Sequence, residues 1–258
     1  MNILENVIEE NIKDSIVGYL KKRQKITTFH PLDLIFPTER RIRSKVGGLE
    51  GSLGSFWERL AKDIARTNNF EVLDENVFNK SVPAIPENIQ NKITEFRNKR
   101  IKGDLTSSTN FFRELQNFIM QSNIVSKSNP IQGGQGADIY LRKDNKEYLI
   151  DIKTAQPNKK STTSFFDTAL LWYASYALKN TGFDFECFIA FPYNPYKKDF
   201  WIANKSKIPP LIPSCDARVG DEFWDFLSGK KNTTKLILEI FKDIGNSDFP
   251  KQFKDYFY

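Results

Sequence analysis

The sequence predicts an α/β protein, with a central mixed β-sheet flanked by helices and helical additions at both ends. Three observations predict it. Residues 137–141 and 147–152 are short, largely apolar runs separated by Arg142-Lys143-Asp144-Asn145-Lys146, a polar turn suited to closing a hairpin. A third apolar run, residues 186–192 (ECFIAFP), follows a helix-length segment. The flanking stretches repeat their apolar residues at helical intervals.

In chain order, residues 1–24 form an amphipathic helix with Ile3, Val7, Ile8, Ile12, Ile16 and Leu20 on one stripe. Lys21, Lys22 and Arg23 complement its C-terminal end. Residues 31–37 read as a loop with a buried Leu-Ile-Phe patch. Arg40, Arg41, Arg43 and Lys45 then crowd one basic run, which leads into a Gly/Ser-rich stretch, residues 46–55. As a loop, that stretch would let bare backbone approach a phosphate. Ser55 has N-cap chemistry for a helix over 56–67, and Glu58 stands at capping-box spacing from it. A short strand is expected at 70–73, a polar loop from 76 leading into a helix over 89–100, and a helix over 109–121.

Beyond the hairpin, residues 156–163 read as a polar, basic connection. Residues 164–179 form a helix whose Phe165, Phe166, Trp172, Tyr173 and Tyr176 serve the core. Residues 200–203 (FWIA) are a candidate fourth strand. Helices follow over 219–228, stopped by Gly229, and over 233–245. The whole chain, 1–258, reads as one domain with its core at about 55–205, a helical N-terminal region 1–54 and a helical C-terminal region 216–258.

Composition narrows the chemistry. A net charge of +6 favours a polyanionic partner. No apolar run is long enough to span a membrane and the start lacks a signal-peptide pattern, so a cytoplasmic protein is expected. Cys187 and Cys215 are too few for a disulfide scaffold and read as free thiols. The single histidine, His30, excludes paired-histidine phosphodiester chemistry and leaves a Cys/His zinc tetrad one ligand short.

The hairpin carries the chemistry. Side chains two apart on a strand share a face, so Asp151 and Lys153 point together while Ile152 turns into the core. Pairing about the 143–146 tip sets Asp138 opposite Asp151 to within one register step. Adjacent carboxylates repel, and a divalent cation with oxygen preference relieves that repulsion. An Asp-x-Lys pair alone is ordinarily a solvated face. Here it comes with a hairpin, a glycine-rich approach (Gly133, Gly134, Gly136) and a basic exit (Gln156, Asn158, Lys159, Lys160). A dinucleotide loop is excluded, because those glycines precede a strand where that loop must follow one.

Asp138, twelve intervening residues, then Asp151-Ile152-Lys153 resembles the PD-(D/E)XK signature of type II restriction endonucleases. The proline of that signature is absent, since Ala137 precedes Asp138. The segments IFPTERRIRSKVGGLEGSLGSFWERLA and GDEFWDFLSG resemble N-terminal and C-terminal regions of such enzymes. The resemblance implies a restriction-endonuclease-like core that hydrolyses double-stranded DNA at a specific site within a restriction-modification system. Asp138, Asp151 and the Ile152 carbonyl would hold Mg²⁺, and Lys153 would serve the attacking water. It further implies an additional carboxylate, Glu58 in preference to Glu50, and a homodimer matched to a palindromic site. Arg40, Arg41, Arg43, Lys45, Gln156, Asn158, Lys159 and Lys160 are the candidate DNA contacts. A repair or recombination nuclease on the same fold is the nearer alternative, and a non-enzymatic DNA-binding protein the more distant one.

Overall fold

The structure, a computed structural model, describes residues 2–21, 34, 37–122, 128–129, 135–153, 156–179 and 182–254. Its elements are α1 (Ile3–Lys21), α2 (Pro37–Thr67), β1 (Glu71–Leu73), α3 (Glu75–Asn79), β2 (Val82–Pro83), α4 (Glu87–Ile101), α5 (Ser108–Ser122), β3 (Ser128–Asn129), β4 (Ile139–Lys143), β5 (Lys146–Ile152), α6 (Lys159–Lys179), β6 (Asp184–Phe191), α7 (Phe200–Ala203), β7 (Ala217–Val219), α8 (Asp221–Ser228) and α9 (Thr233–Asn246). Five strands form the main sheet in the order β1-β4-β5-β6-β7. β1, β4 and β5 run antiparallel, while β5, β6 and β7 run parallel, so the sheet is mixed.

The strands alternate, and each face has its own core. Ile139, Leu141, Ile150 and Ile152 face α1, α2, α8 and α9. Tyr140 and Leu149 face α4, α5 and α6, where Phe96, Phe112, Phe166 and Tyr173 fill the space. The protein is thus a helix–sheet–helix sandwich, which a strand pair buried on both sides requires. The aromatic face of α6 is core, as its spacing predicts. Gly229 adopts φ 67° and ends α8, the role read for it. Cys187 is buried, Cys215 exposed, and both are free thiols.

Four expectations are corrected. The Gly/Ser stretch 46–55 is helical, because α2 runs unbroken from Pro37 to Thr67. Ser55 therefore caps nothing; its hydroxyl donates to the Ser52 carbonyl in mid-helix at 3.1 Å. Packing against α1 overrides the glycines' low helix propensity. Arg59 donates to the Asn11 side chain at 2.9 Å, and Asn11 in turn donates to Asp63 at 2.9 Å, stitching the two helices together. The FWIA run is the helical turn α7, because the Asp199 carboxylate accepts from the Ile202 amide. The sheet's fifth strand is instead β7, too short at three residues to announce itself. Residues 159–163 belong to α6. Leu34, placed in a buried patch, is 79% exposed, and its neighbours Ile35 and Phe36 lie outside the described residues.

The helical glycines make a direct prediction. A Cβ at Gly47 or Gly51 would meet nothing within 4 Å. Gly47→Ala and Gly51→Ala should each therefore stabilise the protein by roughly 0.5–1 kcal/mol, through helix propensity and a less flexible unfolded chain. Denaturant midpoints measure this, and a lowered midpoint would contradict the helical assignment.

Candidate active site

β4 and β5 are joined by a two-residue turn at Asp144-Asn145, with Asp144 at φ 53°. The register ends at Ile139↔Ile150, and the chain bends at Asp138, which stands beside the Ile150–Ile152 end of β5. At that point β4 ends, and β5 runs on with β6 alone, Lys153 donating its amide to the Ala190 carbonyl at 3.0 Å. The edge left by β4 is filled by a side chain. The Asp138 amide donates to the Ile150 carbonyl at 3.1 Å, and its Oδ2 accepts from the Ile152 amide at 2.8 Å. Because N–H and C=O of one strand residue project to the same edge, the Ile152 carbonyl turns toward Asp138 too.

Asp151 is buried and Lys153 half-exposed, with Lys153 Nζ donating to Asp151 Oδ1 at 2.6 Å. Burial raises the Asp151 pKa, and Asp138 raises it further. The nearby Lys153 ammonium pulls it back, and the balance leaves it at about 7. The Asp138 carboxylate lies close enough for its charge to act on Asp151. β5 carries another buried carboxylate for comparison. Glu147 accepts from Arg142 Nε at 2.8 Å, from the Tyr176 hydroxyl at 2.7 Å and from the Tyr140 hydroxyl. Glu147 is satisfied by protein groups, whereas Asp151 has a single lysine and a second acid beside it.

Glu58 reaches this corner from α2. Burial raises its pKa, and the charge of Asp138 raises it further, while Lys62 and Lys153 act in the opposite sense. Glu50 is exposed two turns earlier on the same helix, about 12 Å along the axis. Glu58 feels the charges of Asp138 and Lys153 on the hairpin. No helix begins near Glu58, so the capping-box alternative for it falls away.

Among the described residues, no three His, Cys, Asp or Glu side chains make a closed metal cage. The donors that do converge are two aspartates and a peptide carbonyl, all hard oxygens. That set fits a divalent ion which keeps several of its own waters, as Mg²⁺ does. Such an ion would relieve the electrostatic strain on Asp151.

The expected DNA contacts are more scattered. Gln156, Lys159 and Lys160 are exposed at the start of α6, close behind Lys153 in the chain. Asn158 is engaged as the cap of α6, its Oδ1 accepting from the Ser161 amide at 2.9 Å. Arg43 is exposed and Lys45 half-buried on α2; the side chains of Arg40 and Arg41 lie outside the described residues, as do Gly133, Gly134 and His30. Arg43 stands about 22 Å from Glu58 along the helix axis, at 1.5 Å per residue. Sequence reasoning missed Asn79, which grips the backbone just before Asp138. Nothing in its spacing, 58 residues upstream, signals that contact.

Comparison with known proteins fits this geometry. The chain is 26% identical over 179 residues to the type II restriction enzyme MjaII of Methanocaldococcus jannaschii, a match covering 66% of this chain and 47% of the relative. This chain thus spans about half the length of that curated relative. No solved structure gives a significant match. A model of the type II restriction endonuclease family HinfI matches residues 1–245, nearly the full chain. On that match the chain belongs to the HinfI family of type II restriction endonucleases.

Proposed function

We propose that this protein is a Mg²⁺-dependent, site-specific endonuclease that hydrolyses phosphodiester bonds of double-stranded DNA. The observation that carries the reading is the buried Asp151 carboxylate with Asp138 nearby and the Lys153 ammonium 2.6 Å from it. Binding to a polyanion gives no reason to set two carboxylates side by side. Cutting a phosphodiester through a cation does.

In this mechanism Asp138, Asp151 and the Ile152 carbonyl would hold the ion. When bound, Mg²⁺ neutralises charge on the scissile phosphate as phosphorus becomes five-coordinate. Lys153 orients the attacking water and assists its deprotonation. Glu58 would support the ion from α2. Arg40, Arg41, Arg43 and Lys45 lie along the duplex, with Gln156, Asn158, Lys159 and Lys160 at the start of α6 nearer the cut. A two-fold recognition sequence is matched most simply by a homodimer. No helix among the described residues is long and apolar enough to cross a membrane, and a cytoplasmic restriction-modification role suits a chain of this charge.

Incubation with plasmid and Mg²⁺ tests the reading. Discrete fragments whose run-off sequences end at one repeated sequence support it. A smear or structure-dependent nicking would point to a repair nuclease, and a shifted but intact band to a DNA-binding protein. Within the site, Glu58→Gln should slow cleavage and raise the Mg²⁺ concentration for half-maximal rate by about 10–100-fold, the usual cost of an outer-sphere partner. Glu50→Gln should change neither. Lower thermal stability of Glu58→Gln with an unchanged Mg²⁺ profile would remove Glu58 from the site.

A further inference from the structure

β1 pairs with β4 only as far as Leu73↔Tyr140. Past that point the chain turns away at Asp74 into α3, and β4's continuation toward Asp138 loses its neighbour on that edge. The Asp138 amide turns to the Ile150 carbonyl of β5, while the polar groups of Ala137 face the vacated edge, where Asn79 meets them. Ala137 is buried, and buried peptide groups need partners. Asn79, the last residue of α3, supplies both. Its Oδ1 accepts from the Ala137 amide at 3.1 Å, and its Nδ2 donates to the Ala137 carbonyl at 3.3 Å. One side-chain amide thus stands in for a residue of β1.

The grip has a matched surface. A Cβ on Gly136 would lie 2.9 Å from Asn79 Nδ2 and 3.1 Å from its Cγ, so the amide docks only over a glycine. One residue earlier, the Gln135 carbonyl accepts from Trp172 Nε1 at 2.8 Å, tying the approach to α6. Asn79 is itself anchored through its neighbour Phe78, buried against the ring of Tyr140 at 6.4 Å between centroids. Asp138 therefore follows a fixed Ala137 and stands two residues before a fixed Tyr140, and its own Oδ2 is occupied by the Ile152 amide.

We infer that Asn79 is a positioning residue, which acts through the Ala137 peptide to hold the Asp138 carboxylate where a divalent cation requires it. This deepens the endonuclease reading and rests on it. Rigid support of a ligating carboxylate sets metal affinity, and loss of such a support typically costs about 10–100-fold in that affinity.

The experiment measures Mn²⁺ binding by calorimetry on the protein alone, beside single-turnover cleavage of plasmid DNA as Mn²⁺ is raised. Asn79→Ala should weaken Mn²⁺ binding by about 10-fold or more and shift the cleavage profile by a similar factor, with metal-free DNA affinity unchanged. Gly136→Ala, which retains the asparagine but displaces it, should reproduce the defect in a protein with no deleted contact of its own. In the Asn79→Ala background Gly136→Ala should add little, because the clash has gone. Mn²⁺ affinity equal to wild type in both single variants would overturn the inference. So would lower thermal stability with unchanged metal binding, the signature of a merely structural bond. Asp138→Ala keeps the two readings separable. If it cuts as well as wild type, or wild type never cuts, the endonuclease reading fails, while the Mn²⁺ titration still decides what Asn79 does.

Discussion

Asp151→Asn should unfold at a higher temperature than the parent protein at pH 8 without divalent metal, although it should cut no DNA. Burial and the Asp138 charge raise the folded-state pKa of Asp151 to about 7, against an ordinary value near 4 in the unfolded chain. Between those values the folded protein holds a proton that the unfolded chain has released. Stability therefore falls as pH rises through that window, and the full penalty stands at pH 8. Three pKa units correspond to at most about 4 kcal/mol, and roughly 2–4 kcal/mol is the expected scale. Asparagine keeps the shape and removes the charge. Lys153, half-exposed, loses its partner to solvent at little cost. The gain should shrink toward zero near pH 4 and grow toward pH 8, at about 2–4 °C of melting temperature per kcal/mol. A pH-independent difference, or none, would mean that Asp151 is not under electrostatic strain. On this account activity and stability would pull against each other at Asp151, as at many functional sites.

The second large effect lies away from the chemistry. Arg100 and Asp216 are both buried and form an ion pair between α4 and the segment leading into β7. The arrangement is fully satisfied. Arg100 also donates to the Pro210 carbonyl at 2.6 Å and the Thr106 carbonyl at 3.1 Å, and its guanidinium lies over the Phe166 ring at 4.9 Å. Asp216 accepts from the Ser108 hydroxyl at 2.7 Å and the Ile212 amide at 2.8 Å. Removing the cation leaves a buried carboxylate without its countercharge. Arg100→Ala should accordingly cost about 3–5 kcal/mol in urea unfolding. Arg100→Lys should recover little, because an ammonium cannot span the carbonyls and the carboxylate from one fixed fork. A loss below about 1 kcal/mol would contradict the buried-pair account.

The hairpin was legible because its information is local. A polar turn between two apolar runs fixes the register as far as Ile139↔Ile150, which carries Asp138 to the end of β5 that bears Asp151. The pairing of Asp151 with Lys153 follows from strand alternation in the same way. What escaped was decided by distant partners. Gly47, Gly48, Gly51 and Gly54 read as a loop, and Ser55 with Glu58 imitates a helix start, yet contacts from Asn11 on α1 carry α2 straight through. FWIA has the aromatic and β-branched content of a strand, and one aspartate cap makes it a turn of helix. β7 has no periodicity to read in three residues and exists because β6 offers a parallel edge. Asn79 contributes through a chain reversal that no sequence spacing encodes.

Cleavage by wild type and Asp151→Asn on the same supercoiled plasmid, with DNA binding followed in parallel, tests the central claim most directly. With Mg²⁺ at saturation, wild type should give discrete fragments bearing 5′-phosphates, while Asp151→Asn should bind the same DNA and release no fragments. Fragments from Asp151→Asn at a comparable rate would contradict the claim that the Asp138–Asp151–Lys153 corner is where this protein cuts.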